Sequence, residues 1–211
     1  MNDVVIWGCG GHAREVSFLC GSVGLSVVGF LDERPEMKGQ VVDGVPVLGV
    51  LQDIAALRGR LSVICAGVGD PALRQRFASM TGEAGFRISD PVVHPQVSLS
   101  PRSSLGPGTV VCAGTTLTVN VHLGQHVVVN RNATIGHDVS VADFVTISPA
   151  VAISGNVTVE EGVYIGTNAA IREKIRVGEW SVIGGGAFVR TNVPPRVLVA
   201  GVPAIVKRRL P

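Results

Sequence analysis

His137 and the acid that follows it are the residues of this chain best suited to general acid–base chemistry. Asp138 directly follows His137, and none of the other four histidines precedes an acidic residue. An imidazole titrates near neutral pH, and a neighbouring carboxylate fixes its tautomer and orientation. The pair is therefore a candidate base that removes a proton from a nucleophile. The alternative is a solvated surface pair without a catalytic role.

A six-residue repeat runs through the second half of the chain and must position this pair. Every sixth residue from Val93 to Val189 is aliphatic, and the residue four further on is always small or β-branched. Short strands broken by a corner after each hexad fit this spacing, whereas a 3.6-residue helix does not. Three hexads would close a triangular coil, so the sequence predicts a parallel β-helix of about 5–6 coils.

The length of one coil, three hexads, places Gly155 beside His137. A glycine there exposes its backbone N–H without a side chain over it, and such a donor stabilises the charge that develops on a carbonyl oxygen during acyl transfer. With His137 and Asp138, Gly155 would serve a reaction in which a nucleophile loses a proton and an oxygen gains negative charge, and acyl transfer is the reaction that the family resemblance described below implies. No Ser or Cys adjoins His137 in sequence, which disfavours a covalent acyl-enzyme, although Ser148 or Ser154 could approach it in space.

The first ninety residues are typical of a separate α/β unit with a parallel sheet. A predicted buried strand at residues 4–7 leads into the glycine-rich turn 8–11 and a helical pattern, and a second strand ends at Asp32. Such a turn lets backbone N–H groups face an anion, while an acid after the second strand can accept from a ribose or a base. A nucleotide diphosphate would suit this unit. The alternatives are an NAD site, of which only one half would be present, and a purely structural turn.

Composition and charge exclude several classes of protein. The chain is 46% hydrophobic and 16% charged, which is typical of a folded globular protein rather than a disordered one. The charges are scattered, so no nucleic-acid partner is expected. No apolar stretch could span a membrane and no signal-peptide pattern is present, so we expect a cytoplasmic protein. The cysteines, which lack CxxC spacing, favour buried thiols over a zinc site or disulfides: Cys9, Cys20, Cys65 and Cys112.

Both units together resemble one family. The uninterrupted hexads and the ending Gly201-Val202-Pro203-Ala204 resemble the left-handed parallel β-helix of hexapeptide-repeat acyltransferases. With the start Gly-Cys-Gly-Gly-His-Ala at 8–13, the strand end at 30–33 and the turn at 69–70, the chain is similar throughout to bacterial sugar acyltransferases that join a small Rossmann-like domain to such a helix. These enzymes are N-acetyltransferases that act on nucleotide-activated 4-amino sugars and O-acetyltransferases that act on sialic acid.

The resemblance implies a domain plan and a set of partners. Residues 1–90 would form a Rossmann-like domain that binds a nucleotide sugar, residues 91–193 a left-handed β-helix acyltransferase domain, and residues 194–211 a C-terminal tail. Acetyl-coenzyme A would be the cosubstrate, with no metal. The acceptor would be a nucleotide-activated amino sugar, with UDP or GDP left open. The assembly would be a homotrimer with active sites between subunits.

The resemblance also implies roles for individual residues. The segment 130–138 is similar to the catalytic segment of the subfamily, which makes His137 and Asp138 catalytic and places Asn130 nearby. The phosphates would lie at Gly10, Gly11 and His12, with Asp32 near the base or ribose. Coenzyme A would run along a groove marked by Gly166, Gly185, Gly201 and Pro203, whereas the alternative is that these glycines only turn corners.

Thr146 departs from the family pattern. Relatives that acetylate a uridine-linked amino sugar can carry a second histidine nine residues beyond the catalytic one, and this chain has Thr146 there. A hydroxyl cannot replace an imidazole as an acid or base at neutral pH. Either Thr146 hydrogen-bonds the substrate, or the substrate differs from that of these relatives.

Three other functions compete with sugar N-acetylation. O-acetylation of sialic acid or another sugar is the second choice. A metal hydratase on the same prism would need three histidines around zinc between subunits, but His94 and His137 lack the phase to join His122 and His126. A non-catalytic scaffold would leave the glycine turn and the His137–Asp138 pair without a use.

Overall fold

The apolar run at the start of the chain forms one of the two central strands of a six-stranded sheet. The computed structural model describes residues 2–211. The elements of the N-terminal unit are β1 (Asp3–Trp7), α1 (Gly11–Ser22), β2 (Ser26–Leu31), β3 (Val41–Val42), β4 (Val45–Gly49), β5 (Ser62–Ile64), α2 (Pro71–Glu83) and β6 (Arg87–Ile88). The strand order is β3-β4-β2-β1-β5-β6, parallel except between β3 and β4. This confirms the predicted parallel α/β unit.

Both helices begin at residues suited to a helix N-terminus. Gly10 precedes α1 in an extended conformation, so the first N–H groups of α1 open toward the glycine turn. Asp70 caps α2 by accepting a hydrogen bond from the Leu73 N–H at 2.8 Å, and Pro71 occupies the first helical position. The two glycine turns that precede the helices therefore lie at the same edge of the sheet, the carboxyl end of its parallel strands.

The hexads form a prism of two-residue strands. These are β7 (Val92–Val93), β8 (Ser98–Leu99), β9 (Ser104–Leu105), β10 (Val110–Val111), β11 (Thr116–Leu117), β12 (His122–Leu123), β13 (Val128–Val129), β14 (Thr134–Ile135), β15 (Ser140–Val141), β16 (Thr146–Ile147), β17 (Ala152–Ile153), β18 (Thr158–Val159), β19 (Tyr164–Ile165), β20 (Ala170–Ile171), β21 (Arg176–Val177), β22 (Val182–Ile183) and β23 (Phe188–Val189). From β7 to β20 each strand pairs in parallel with the strand three further along, as Val110 does with Val128. The repeat predicted from sequence is confirmed.

The prism has three faces. Face 1 contains β7, β10, β13, β16, β19 and β22, face 2 contains β8, β11, β14, β17, β20 and β23, and face 3 contains β9, β12, β15, β18 and β21. Residues 194–211, predicted as a tail, extend face 1: β24 (Val197–Ala200) pairs with β22, and β25 (Ile205–Arg209) pairs with β24. That residues 1–90, 91–193 and 194–211 are separate domains stays a prediction.

A left-handed backbone conformation recurs at every sixth residue. From Gly108 to Gly186 each such corner residue has a positive φ, including the bulky Phe144 (60°) and Trp180 (54°). L residues other than glycine, asparagine and aspartate rarely adopt this region. The same corner position of each hexad therefore requires the left-handed backbone conformation. The prism is the left-handed parallel β-helix that the family resemblance implied. Its interior is filled by the two predicted columns, from Val111 to Val199.

The N-terminal unit packs on face 1. Residues of α1, including Val16 and Cys20, share one apolar cluster with the outward-facing Val110 and Val128 of the prism. All four cysteines are buried and unpaired. No helix within residues 2–211 is both long and apolar enough to cross a bilayer.

Arg74 on α2 ties the two units together from a fully buried position. Its Nε donates to the carbonyl of His126 at 2.8 Å, and its Nη2 donates to the carbonyl of Phe144 at 2.6 Å. These two acceptors occupy equivalent corners of successive coils. The remaining Nη1 donates to the carbonyls of Val68 and Gly69 at the glycine turn before α2. Burial lowers the pKa of Arg74 to about 10, which still leaves the guanidinium charged at neutral pH.

Replacement of this buried guanidinium is expected to destabilise the whole chain. Arg74→Met leaves several buried carbonyls without a donor, so the free energy of unfolding should fall by about 3 kcal/mol or more. Arg76→Met is the matched control, because Arg76 lies two residues further on the same helix and half exposed, where its ion pair with Glu33 is worth about 1 kcal/mol or less. Urea unfolding measures both. Equal losses would contradict the role assigned to Arg74.

Candidate active site

Three side chains form a hydrogen-bonded chain at one edge of the prism. Nδ1 of His137 and Oδ2 of Asp138 lie 2.8 Å apart, and the other carboxylate oxygen of Asp138 accepts from Nδ2 of Asn120 at 2.9 Å. The hydrogen bonds from Asn120 and then from His137 hold the pKa of Asp138 below its usual value. The ionised carboxylate therefore favours the tautomer with a proton on Nδ1, which leaves Nε2 free to accept a proton.

Asn120 is a member of this chain that the sequence analysis did not identify. It precedes Asp138 by one coil, the same interval that separates His137 from Gly155. Asn120 and Asp138 both occupy left-handed corners, with φ of 56° and 58°. The coil length, applied to Asp138 as well as to His137, would have found it.

Gly155 lies under the imidazole of His137. A Cβ on Gly155 would overlap Nε2 and lie 2.5 Å from Cε1 of that ring. No acceptor among the described residues takes the Gly155 N–H. Gly155 therefore both leaves room for the His137 ring and has an N–H without an acceptor. The contact between these two residues is the one that the coil length predicted.

The other histidines have different surroundings. His126 is buried against the ring of Phe144, and burial lowers its pKa to about 4. Nδ1 of His122 lies 2.8 Å from the Ser104 hydroxyl, and Nδ1 of His94 accepts from the Gln96 N–H at 3.1 Å. None of these three bonds a carboxylate. His137 alone combines an exposed ring with a close carboxylate.

The glycine turn of the N-terminal unit opens into a cavity of about 450 Å³. Gly10, Gly11, His12 and Asp32 all line it. The structure therefore brings these four predicted residues together at the N-terminus of α1. Backbone N–H groups at a helix N-terminus favour an anion such as a phosphate.

A second cavity of about 590 Å³ lies between α1 and the prism. Gly11 and His12 line both cavities, and Arg131 and Cys112 form part of the prism side of the second one. An ion pair of 3.0 Å between Arg131 and Glu15 crosses it. Burial lowers the pKa of His12, so its ring is neutral at pH 7. The two cavities therefore adjoin at Gly11 and His12.

Comparison with known proteins adds the family. The PglD N-terminal domain family matches residues 3–81. A variant of perosamine N-acetyltransferase from Caulobacter crescentus, solved in complex with CoA and GDP-perosamine, is 30% identical, with 99% of this chain and 98% of that chain covered and a TM-score of 0.90. No curated protein sequence matches the chain.

Two further solved structures are similar over nearly their whole length. The acetyltransferase domain of PglB from Neisseria gonorrhoeae, in complex with acetyl coenzyme A, is 30% identical, with 97% and 98% of the two chains covered and a TM-score of 0.87. WeeI from Acinetobacter baumannii is 25% identical, with 96% and 98% covered and a TM-score of 0.86.

The chain belongs to the hexapeptide-repeat sugar N-acetyltransferases. Membership in this family favours acetyl transfer over the scaffold and hydratase alternatives. Within residues 2–211 the structure contains no group of three or more histidine, cysteine or acidic side chains that could hold a metal ion.

Asn130 lies on a different edge of the acetyltransferase prism from His137. Asn130 follows β13 of face 1 and precedes the edge between faces 1 and 2, and its Nδ2 donates to the Ile147 carbonyl at 3.3 Å. His137 occupies the edge between faces 2 and 3. One chain therefore does not bring these two predicted residues together, and the catalytic neighbourhood predicted for Asn130 stays a prediction.

Thr146 is part of the junction between the two units of the acetyltransferase. It is buried, and its hydroxyl donates to the Gly69 carbonyl at 2.7 Å and accepts from Arg74 at 2.9 Å. This geometry gives the hydroxyl a structural role. The predicted contact between Thr146 and substrate stays a prediction that the geometry does not favour, because such a contact would disrupt the junction.

The glycines predicted for coenzyme A fall into two groups. A Cβ on Gly166 would lie 2.6 Å from the backbone nitrogen of Gly185, so these residues stack closely at the edge between faces 1 and 2. The Gly201 carbonyl accepts from the Phe188 N–H at 3.0 Å, and the Val202–Pro203 peptide is cis. This second group therefore lies beside the last strand of face 2. That coenzyme A follows these residues stays a prediction.

Substitution of Gly155 is expected to disable the imidazole without unfolding the prism. The methyl group of Gly155→Ala would displace the His137 ring, and a displacement of about 1 Å can lower kcat by about 100-fold. Gly82→Ala is the matched control, because a Cβ on Gly82 contacts nothing within 4 Å. Steady-state kinetics and thermal unfolding measure both. A normal kcat for Gly155→Ala would show that the ring does not need this position.

Proposed function

We propose that this acetyltransferase transfers the acetyl group of acetyl-coenzyme A to the amino group of a UDP- or GDP-linked 4-amino-deoxy sugar, with His137 as general base. The observation that carries the proposal is the Asn120–Asp138–His137 chain above the free N–H of Gly155. It provides an oriented base and an oxyanion donor at one point. Relatives solved with CoA and GDP-perosamine or with acetyl coenzyme A support the substrate class.

The mechanism is direct attack. The neutral amine of the sugar forms a bond to the acetyl carbon while the carbonyl double bond opens, which gives a tetrahedral oxyanion. When this intermediate collapses, the carbonyl re-forms and the bond between that carbon and the thioester sulfur breaks. Nε2 of His137 takes the proton that the amine loses and passes it to the departing thiolate. Meanwhile the Gly155 N–H stabilises the negative charge on the acetyl oxygen. Asp138 stabilises the imidazolium, and Asn120 holds Asp138 in place.

The positions of the glycine-turn cavity and of His137 support an active site shared between subunits of a homotrimer. The N-terminal unit covers face 1, whereas His137 lies at the opposite edge, between faces 2 and 3. The glycine-turn cavity and the imidazole of one chain therefore face different directions. A neighbouring copy whose His137 edge lies against the cavities beside α1 would unite sugar, cosubstrate and base.

Calorimetric titration tests the substrate class. We expect acetyl-coenzyme A to bind, together with one of a panel of uridine- and guanosine-linked 4-amino sugars, because the glycine turn suits a diphosphate. Free sialic acid serves as the comparison ligand. If coenzyme A and sialic acid bind while every nucleotide sugar fails, the protein is an O-acetyltransferase instead. A protein that binds neither would contradict acetyl transfer altogether.

Removal of the imidazole tests the role of the base. His137→Ala should lower kcat by roughly 10²–10⁴ with little change in stability, because an exposed imidazole contributes mainly to proton transfer. His122→Ala is the matched control, since His122 is also an exposed prism histidine but bonds only a serine hydroxyl. Acetyl transfer is followed by release of free thiol. Near-normal turnover in His137→Ala would rule out His137 as the base.

A further inference from the structure

The Asp32 carboxylate has no acceptor capacity left for a ligand. Oδ1 accepts from the backbone N–H of Arg34 at 3.1 Å and from its Nε at 2.8 Å. Oδ2 accepts from Nη2 of Arg34 at 2.9 Å and from the thiol of Cys9 at 3.0 Å. A carboxylate offers about four lone-pair sites, and all four are used here. The contact between Asp32 and a ribose or base, expected from sequence, would require one of these bonds to break.

Cys9, Asp32 and Arg34 form a hydrogen-bonded cluster, and their charge states maintain this arrangement. Hydrogen bonding from Arg34 lowers the pKa of Asp32 to about 2, so the carboxylate is ionised at neutral pH. Burial raises the pKa of the Cys9 thiol to about 11, so the thiol keeps its proton and remains a donor. Asp32 is thus an acceptor surrounded by donors. It holds Arg34 and Cys9 in position and has no free acceptor site for a ligand.

Arg34 is the member of the cluster that keeps free donors. Its Nε and Nη2 are directed at Asp32, and Nη2 also lies 3.3 Å from the Cys9 sulfur. Nη1 bonds nothing among residues 2–211, and it carries two N–H groups. The side chain is 57% exposed and lines the glycine-turn cavity. A planar guanidinium fixed on one side presents its opposite side to a ligand in that cavity.

The position of Arg34 in the sheet corresponds to the nucleoside rather than the phosphates. The glycine turn after β1 and the N-terminus of α1 provide the phosphate site. Arg34 follows the neighbouring strand β2, and in parallel sheets of this kind the end of the second strand is where the nucleoside lies. Glu33, beside it, also lines the cavity. One of its carboxylate oxygens pairs with Arg76, which leaves the other without a protein partner.

We propose that Arg34, held by Asp32 and Cys9, reads the nucleobase of the substrate and selects bases that carry an exocyclic carbonyl oxygen next to a ring N–H. This rests on the proposed function, in which a nucleotide-linked sugar is bound. Guanine and uracil each carry a carbonyl next to a ring N–H. The carbonyl matches the guanidinium donor of Arg34, and the ring N–H matches the free carboxylate oxygen of Glu33. Adenine and cytosine carry an amino group next to an unprotonated ring nitrogen. In that position their amino group would face the Arg34 guanidinium, donor against donor. Their ring nitrogen would face the Glu33 carboxylate, acceptor against acceptor.

Calorimetry with four nucleoside diphosphates tests the inference. The intact protein should bind GDP or UDP at least roughly tenfold more tightly than ADP and CDP, the range expected for a good donor–acceptor match. Arg34→Ala should weaken GDP and UDP roughly tenfold and leave ADP and CDP unchanged. Arg34→Lys should lose the preference too, because lysine keeps the charge without the planar fork. The GDP and UDP arms identify which of the two bases is preferred.

The control and the contrary outcomes separate the inference from the proposed function. Arg60→Ala, an exposed arginine elsewhere in the N-terminal unit, should leave all four affinities unchanged. An equal loss for all four diphosphates in Arg34→Ala would show that Arg34 binds phosphate, and the inference would be wrong. Equal affinities in the intact protein would overturn it as well. Failure to bind any diphosphate would overturn the proposed function along with it.

Asp32 is a positioning residue on this account, and a double-mutant cycle tests that role. Asp32→Asn should reduce the preference for GDP or UDP over ADP, because the guanidinium loses its anchor. In the Arg34→Ala background the same substitution should change the preference no further. A further loss there would show that Asp32 contacts the base itself. Thermal unfolding of each variant without ligand checks that the fold is kept.

Discussion

The fixed length of the coil is the constraint on which the chemistry of this acetyltransferase depends. Because each strand pairs with the strand three further on, every residue lies against its counterpart one coil away. His137 lies over Gly155 and Asp138 receives Asn120 for this reason alone. No loop has to be ordered to assemble the proposed base, its orienting acid and the proposed oxyanion donor. They are held at about the spacing of neighbouring strands in a sheet.

The same regularity explains how the N-terminal unit is attached. Arg74 donates to the carbonyls of His126 and Phe144, which are corner residues of successive coils. A single guanidinium thus spans one coil step and fastens the turn before α2 to the prism. Thr146, on the adjoining strand, completes the contact through Gly69. The glycine-turn cavity is consequently fixed relative to the β-helix and not carried on a flexible linker.

Much of the architecture could be predicted from the sequence, because an aliphatic column at every sixth residue leaves few alternatives. Coil arithmetic also predicted the contact between His137 and Gly155, and the same arithmetic would have given Asn120. Arg74 was beyond this kind of reasoning. Nothing in a helical sequence indicates that one arginine of several is buried against backbone carbonyls contributed by residues more than fifty positions away.

Asp32 and two corner residues show how the surroundings of a residue decide its role. The sequence predicts a ligand contact for Asp32 because an acid after the second strand usually has that role, and this stays a prediction; in the structure its acceptor sites are filled by Arg34 and Cys9. Phe144 and Trp180 occupy left-handed corners that their side chains would ordinarily avoid. In both cases the surrounding structure determines the outcome, through hydrogen-bond saturation in one and coil geometry in the other.

The burial of Arg74 also has an electrostatic consequence. No carboxylate lies within ion-pair distance of this guanidinium in the described chain, and its partners are carbonyl and hydroxyl oxygens. Val68 and Gly69, which accept from it, form part of the wall of the glycine-turn cavity. A full positive charge therefore lies directly behind that wall, where little water screens it. Arg74 therefore adds a positive contribution to the potential in the glycine-turn cavity, beside the carboxylates of Asp32 and Glu33 that line it, and this contribution would favour the entry of a diphosphate.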